Sequence, residues 1–504
     1  MDPNVAVYLL LAYFVLLFLI SLITGKNSDG QTFFTANRNS PWYVVAFGMI
    51  GASLSGVTFI SIPGTVAQDH WGYMQMVFGY LLGYAIIALV LMPMYYRLNL
   101  TSIYEYLKER YGIAAYKTGS LFFQLSRIIG ASLRLYLVAL VLQIAICDPL
   151  GIPFWITVAI SIGLIFVYTF RGGIKTVVWT DTLQTAFMLV SAGVTVWLIG
   201  DALEWTLGDM ASKIWNSDYS QILYTDPSQS TFFGWKFLSG AAIAVVMTGL
   251  DQDMMQKNLT CRNLEEAQKN IFSFSIVLVI ANFLFLSLGA LLFLYGEEMG
   301  VVQTVFEEGC KLNILNPDTG TFDTCVETDR LFPRLALDFL GPVAGGLFLL
   351  GVVAAAYSSA DSALTALTTA FCVDILNFSE RTDEAEKQQI RYKVHIGYAL
   401  VLFAVVLIFN AAKNEAVIWE LFKAAGYTYG PLLGLYAYGM FTKFKVRDNA
   451  IPWVCVLAPI LSYGIAHFSP IVIGYTFGFE ILLVNALLTV AGLVLATDWD
   501  ARKD

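Results

Sequence analysis

The sequence predicts an all-α, polytopic protein that crosses a lipid bilayer about thirteen times, and three observations predict it. Of 504 residues, 57% are hydrophobic and only 13% charged. Apolar runs of about 20 residues, the length that crosses the hydrocarbon layer, recur from end to end. Lys and Arg gather in every second connection between those runs, the bias that orients helices in a membrane. Helices are the form such runs take, because in hydrocarbon each backbone N–H and C=O must find its partner within the segment or in a closed barrel.

The first run, 5–24, has no basic stretch before it and no small-residue cleavage site after it, so it reads as a retained helix. Runs 42–66, 73–96, 118–146, 153–170 and 179–200 follow, then 235–256, 271–295, 340–376, 392–410 and 417–441, and finally 450–467 and 471–496. Two of them are interrupted. The second holds Gly48, Gly51, Ala52, Ser53, Leu54, Ser55 and Gly56 and then Pro63-Gly64, and the seventh holds Thr248-Gly249-Leu250-Asp251-Gln252-Asp253. Such small-residue patches either let helices pack closely or mark helices unwound at the midplane, where freed carbonyls bind cations. Counting five runs from each break gives two sets, 42–200 and 235–441, that face the membrane in opposite senses. The chain is therefore expected to form one transmembrane domain over 1–504: a leading helix, two inverted five-helix repeats and two closing helices over 450–496.

With the amino terminus outside, twenty of the 29 Lys and Arg residues fall on the inner side, including Arg97, Lys108, Arg110, Lys257, Arg262, Lys443 and Lys445. An external amino terminus and a cytoplasmic carboxyl terminus follow. The sequons at Asn99, Asn258 and Asn377 then face inward, which suits a bacterial inner (cell) membrane. The net charge of −9 comes from acidic outer loops (201–236 and 297–334) and excludes a nucleic-acid partner, which would require the opposite sign. Cys310 and Cys325 share one outer loop, where an oxidising exterior permits a bridge. The other four cysteines lie in or beside spans.

The ninth run carries Ala354 to Thr369, with hydroxyls and a carboxylate inside an apolar segment. At helical spacing Ala355, Ser358, Asp361, Ser362 and Thr365 share a face, so their oxygens converge. Polar groups at that depth line a cavity or a pathway. Sodium is a hard cation that takes oxygen ligands, and backbone carbonyls of the second run with hydroxyls of the ninth supply them. Asp181, near the start of the sixth run, is either a second cation ligand, a proton acceptor, or a carboxylate favoured by the helix dipole. Arg127, Gly130 and Arg134 lie at i, i+3 and i+7 of the fourth run. Their guanidiniums either clamp a carboxylated solute, or pair internally with Asp361 or Asp181, or in the case of Arg127 reach the inner surface.

These residues give the chain a resemblance to the sodium/solute symporter family, and within it to the bacterial sialic acid transporter branch. The resemblance spans nearly all of the first 440 residues. It rests on Ala52-Ser-Leu-Ser-Gly-Val-Thr-Phe-Ile-Ser-Ile-Pro63, Thr101-Ser-Ile-Tyr-Glu-Tyr-Leu107, Gly172-Gly-Ile-Lys-Thr-Val-Val-Trp-Thr-Asp-Thr-Leu-Gln184 and the Ser358-Ser359 helix. It implies a core of inverted repeats of the leucine-transporter type. It also implies a sodium site of carbonyls at Gly51, Leu54 and Ala355 with hydroxyls at Ser358 and Ser359. A second cation site would use Asp181, Ser358 and Ser362, with Asp361 where the branch has serine. Substrate positions match Ser53, Ser55 and Thr58, and also Tyr73, Val77 and Gly130, where the branch has an aromatic, a glutamine and a carboxylate-binding arginine.

The expected function is sodium-coupled secondary active symport of a small polar solute, carboxylated and sialic-acid-like or else a neutral sugar or polyol, by a functional monomer in the bilayer. A transporter-like sensor that binds without transport is the alternative, and the short tail after the last run argues against it. His70, His395 and His467 lie far apart with no catalytic partner motif, so no enzyme is expected.

Overall fold

The computed structural model describes residues 3–24, 34–307, 310–317, 319–378, 383–412 and 417–502. Lys26, Arg381, Lys413 and Lys503, which entered the orientation argument, lie outside the described residues. Each of the thirteen predicted runs contains a helix. Among the described residues, nine helices are long and apolar enough to cross a membrane, and a tenth is a pair bent by 69°. Phe154–Thr169 and Ile481–Leu495 are shorter apolar helices. The last helix starts ten residues after the predicted boundary at 471. Gly474 turns the chain at φ 67°, and the Glu480 side chain accepts from the Gly478 amide at 2.6 Å and ties down the loop that precedes the helix.

The spans are numbered in chain order. The second (Trp42–Asp69) and the ninth (Gly341–Ile375) are the best-covered helices, 89% and 83% buried along their most apolar stretches, against 22% for Glu384–Ala411 and for Asp448–Val472. A helix apolar on every side is either core or lipid-facing, and burial separates the two classes here. The second, sixth (Ile174–Ala202) and ninth spans pack against one another at the centre. Small residues allow this. A Cβ added at Gly48 would come within 3.1 Å of the Asp181 Cβ, and one at Gly56 within 3.3 Å of the Ala356 Cβ. The glycines of the second span therefore serve close packing, as the first of the two readings held, while a break lies between them.

Both predicted interruptions exist. In the second span Ser55 has φ 56° and ψ 173°, a backbone region natural to glycine, where another residue costs about 1–3 kcal/mol unless its surroundings hold it. The seventh span breaks at Leu250–Asp251 between Phe233–Gly249 and the half-helix Gln252–Asn258. Its freed carbonyls are satisfied by two buried phenols: Tyr95 Oη donates to Gly249 O at 2.8 Å and Tyr104 Oη to Leu250 O at 2.9 Å. Asp251 caps the half-helix by accepting from the amides of Asp253 and Met254 at 2.9 and 3.3 Å. The Thr101–Leu107 segment grips the same half-helix. The Gln252 side chain donates to Thr101 O and accepts from the Ile103 amide, both at 2.9 Å.

Outside the helices, Val302–Glu307, Cys310–Leu315 and Phe322–Asp323 form an antiparallel sheet in the predicted outer loop, an element the all-helical reading did not include. Cys325 beside it is disulfide-bonded, and Cys147, Cys261, Cys372 and Cys455 are free. The side chain of Cys310, its predicted partner, lies outside the described ones.

Candidate cation and solute site

The second span's break and the ninth span's hydroxyl face meet. Ser359 Oγ donates to the Ala52 carbonyl at 3.4 Å, one turn before Ser55, and Ser358 Oγ donates to Asp181 Oδ1 at 2.6 Å. The Gly51 amide donates to Thr185 Oγ1 at 3.0 Å. Ser358, Ser359, Asp361, Ser362 and Asp181 are all fully buried, as are Ala355 and, nearly so, Leu54.

Asp181 is not at a helix start. The sixth span begins at Ile174 after Gly173, which places the carboxylate two turns in, beyond the reach of the dipole reading. Its partner is Lys257, at 2.6 Å from Oδ2. Lys257, predicted to lie just inside the membrane surface, is instead 1% exposed, carried inward by the half-helix. Asp361 accepts from Tyr168 Oη at 2.8 Å and from the Ser362 amide at 2.5 Å. Asp181, Asp361 and Ser362 thus form one cluster with a lysine that sequence reasoning had assigned to water. The only sequence signal for it was a basic residue seven positions after the break.

The two arginines of the fourth span (Ile113–Cys147) have different fates. Arg127 pairs with Asp253 and lies 3.9 Å from Asp251, so its partners are the half-helix carboxylates rather than Asp361, Asp181 or the inner surface. Asp251 also accepts from Tyr429 Oη. Arg134, 5% exposed, forms no ion pair among the described residues.

Both arginines line a cavity of about 80 Å³, together with Ser53, Ser55, Thr58 and Tyr73. That is room for several waters or for the polar end of a small solute. Tyr80, Tyr84, Thr248 and Asn282 also line it and were missed, because nothing in an apolar helix marks a single tyrosine or asparagine as cavity-facing. Tyr73 and Tyr80 share a hydrogen bond of 3.0 Å. Gly130 lines a smaller adjoining cavity with Arg127, Arg134 and Tyr429. Val77 is fully buried and lines neither.

The model of the sodium:solute symporter family matches residues 33–450. The sodium/sialic acid symporter NanT of Aliivibrio fischeri is 26% identical over 444 residues, covering 84% of this chain and 80% of that protein. The sodium/sialic acid symporter SiaT of Proteus mirabilis is 24% identical over 508 residues, covering 97% and 94%. The solved substrate-bound, outward-open state of a Na+-coupled sialic acid symporter superposes with a TM-score of 0.80 at 19% identity, covering 97% of each chain, which shows the shared fold. With most of its length matched by one family model, the chain belongs to the sodium:solute symporter family and is a multi-pass membrane transporter, not an enzyme, that couples a small solute to sodium.

Proposed function

We propose that the solute is a carboxylated, sialic-acid-like polyol bound beside the second span's break, with its carboxylate on Arg134. The observation that carries this reading is the buried Arg134 guanidinium facing a polar-lined cavity with no acidic partner among the described residues. A planar guanidinium makes two parallel charge-assisted bonds to a carboxylate, and a buried one left without an anion is costly. The hydroxyls of Ser53, Thr58, Tyr80 and Tyr84 and the amide of Asn282 around the same cavity suit the hydroxyls and acetamido group of such a solute. The names of the relatives agree with this chemistry.

Sodium is assigned to carbonyls of Gly51, Leu54 and Ala355 with the Ser358 and Ser359 hydroxyls, next to that cavity. The Ser359 contact to the Ala52 carbonyl supports this by putting a hydroxyl against the backbone just before the break. The chain is read as a functional monomer in the bacterial inner membrane, surrounded by lipid, with two inverted repeats over 42–200 and 235–441, its amino terminus outside and its carboxyl terminus in the cytoplasm.

Uptake of labelled N-acetylneuraminate into proteoliposomes tests the reading. Accumulation is expected with an inward sodium gradient and not with potassium. Accumulation of a neutral sugar instead would remove the carboxylate clamp, and sodium-dependent binding without accumulation would point to a sensor.

A further inference from the structure

Beside the proposed sodium site lies a second cluster of side-chain oxygens, a pocket in the sense that a cation can be held among them. It is built from Asp181 of the sixth span, Asp361, Ser358 and Ser362 of the ninth, and Tyr168 of the fifth (Phe154–Gly172). All of these side chains are buried, and their donor set, two carboxyl groups with neighbouring hydroxyls, supplies the oxygens that hard cations take. The pocket already holds a cation. The Lys257 ammonium stands 2.6 Å from Asp181 Oδ2 and within electrostatic reach of Asp361.

We propose that Lys257 is the resident cation of this pocket, so that the protein binds a single sodium ion. The inference rests on the sodium site proposed above, and occupancy argues for it. A second sodium would have to take the Asp181 oxygen that the ammonium already holds, and two cations in contact in a low-dielectric interior repel strongly. An ammonium and a sodium ion satisfy the same oxygens, but the ammonium is tethered. Its stem springs from the half-helix Gln252–Asn258, so the charge stays with the protein through the transport cycle and is not delivered with the solute.

Equilibrium binding of radioactive sodium to the purified full-length protein in nanodiscs counts ions without requiring a solute. One ion per chain is expected for the wild type. Lys257→Ala vacates the pocket and is expected to bind two, and adding Asp181→Asn returns the count to one. Should Lys257→Ala fail to fold with its two uncompensated carboxylates, Lys257→Ala combined with Asp361→Ser takes its place, again with two ions expected. If neither variant folds, the wild-type count decides. Two ions in the wild type, or one in a folded Lys257 variant that keeps Asp181, overturns the assignment of Lys257. No bound sodium in the wild type overturns the sodium site instead.

Discussion

Arg127 and Arg134 sit on the same helix face two turns apart, yet one is consumed by structure and the other is, in the proposed function, the solute's anchor. Their shared face was legible from the i, i+7 spacing. Which of them was spoken for was not, because the deciding carboxylates, Asp251 and Asp253, come from another span and are aimed at Arg127 only by the bend at Leu250. Removing Arg134 should therefore cost binding and not folding. Arg134→Leu is expected to lower affinity for a carboxylated solute by about 1.5–3 kcal/mol, roughly ten- to hundredfold, with an unchanged melting temperature in detergent. Arg127→Leu leaves two buried carboxylates without their cation and is expected to lose about 3–5 kcal/mol of stability. If isothermal titration and melting curves assign these losses the other way round, the division of labour between the two arginines is wrong. At the proposed sodium site, Ser359→Ala removes one of the assigned hydroxyl ligands. Its half-saturating sodium concentration should rise on the order of tenfold, equivalent to about 1.4 kcal/mol, and an unchanged sodium titration would take Ser359 out of the site.

The two broken helices carry the site, and both were readable as disturbed patches because glycine, serine and aspartate are out of place in the middle of apolar runs. How each break is held was not readable. The Leu250 carbonyl, freed by the bend, is met by Tyr104 from the Thr101–Leu107 segment, whose remoteness in sequence hides the pairing. That segment was noticed as a motif with no mechanical role, and its role is to brace the half-helix through Gln252 and Tyr104. Tyr104→Phe keeps the ring and orphans the carbonyl. It is expected to cost about 1–3 kcal/mol of stability and to weaken solute binding through the loosened half-helix, while Tyr436→Phe, whose hydroxyl bonds Ile103 O in the same brace, should act in the same direction. Hydrogen exchange over 249–258 is the measurement. Unaltered protection in Tyr104→Phe would mean that the bend holds without its brace.

At the scale of the whole molecule, composition and hydropathy were enough to place the long apolar helices, since a bilayer imposes length and apolarity on each crossing, but not a short polar one such as Leu207–Trp215. The charge inventory of the interior was beyond them. Lys257 counts as an inner-loop residue in any sequence-based orientation argument, and only the bend of the seventh span turns it into a fixed positive charge beside Asp181. The consequence is electrical. A solute carrying one carboxylate and travelling with one sodium moves no net charge across the membrane, because the Lys257 ammonium does not leave the protein. Accumulation by the wild type should then follow the sodium concentration ratio alone, about tenfold for each 1.4 kcal/mol stored in the gradient, and stay the same when a potassium diffusion potential of about 100 mV, negative inside, is imposed with valinomycin. A carrier moving one net charge would gain about 2.3 kcal/mol from that potential, roughly fiftyfold in accumulation. Lys257→Ala, with a second sodium in the vacated pocket, should acquire that dependence, and a wild type that already responds to the imposed potential would contradict one sodium per carboxylated solute.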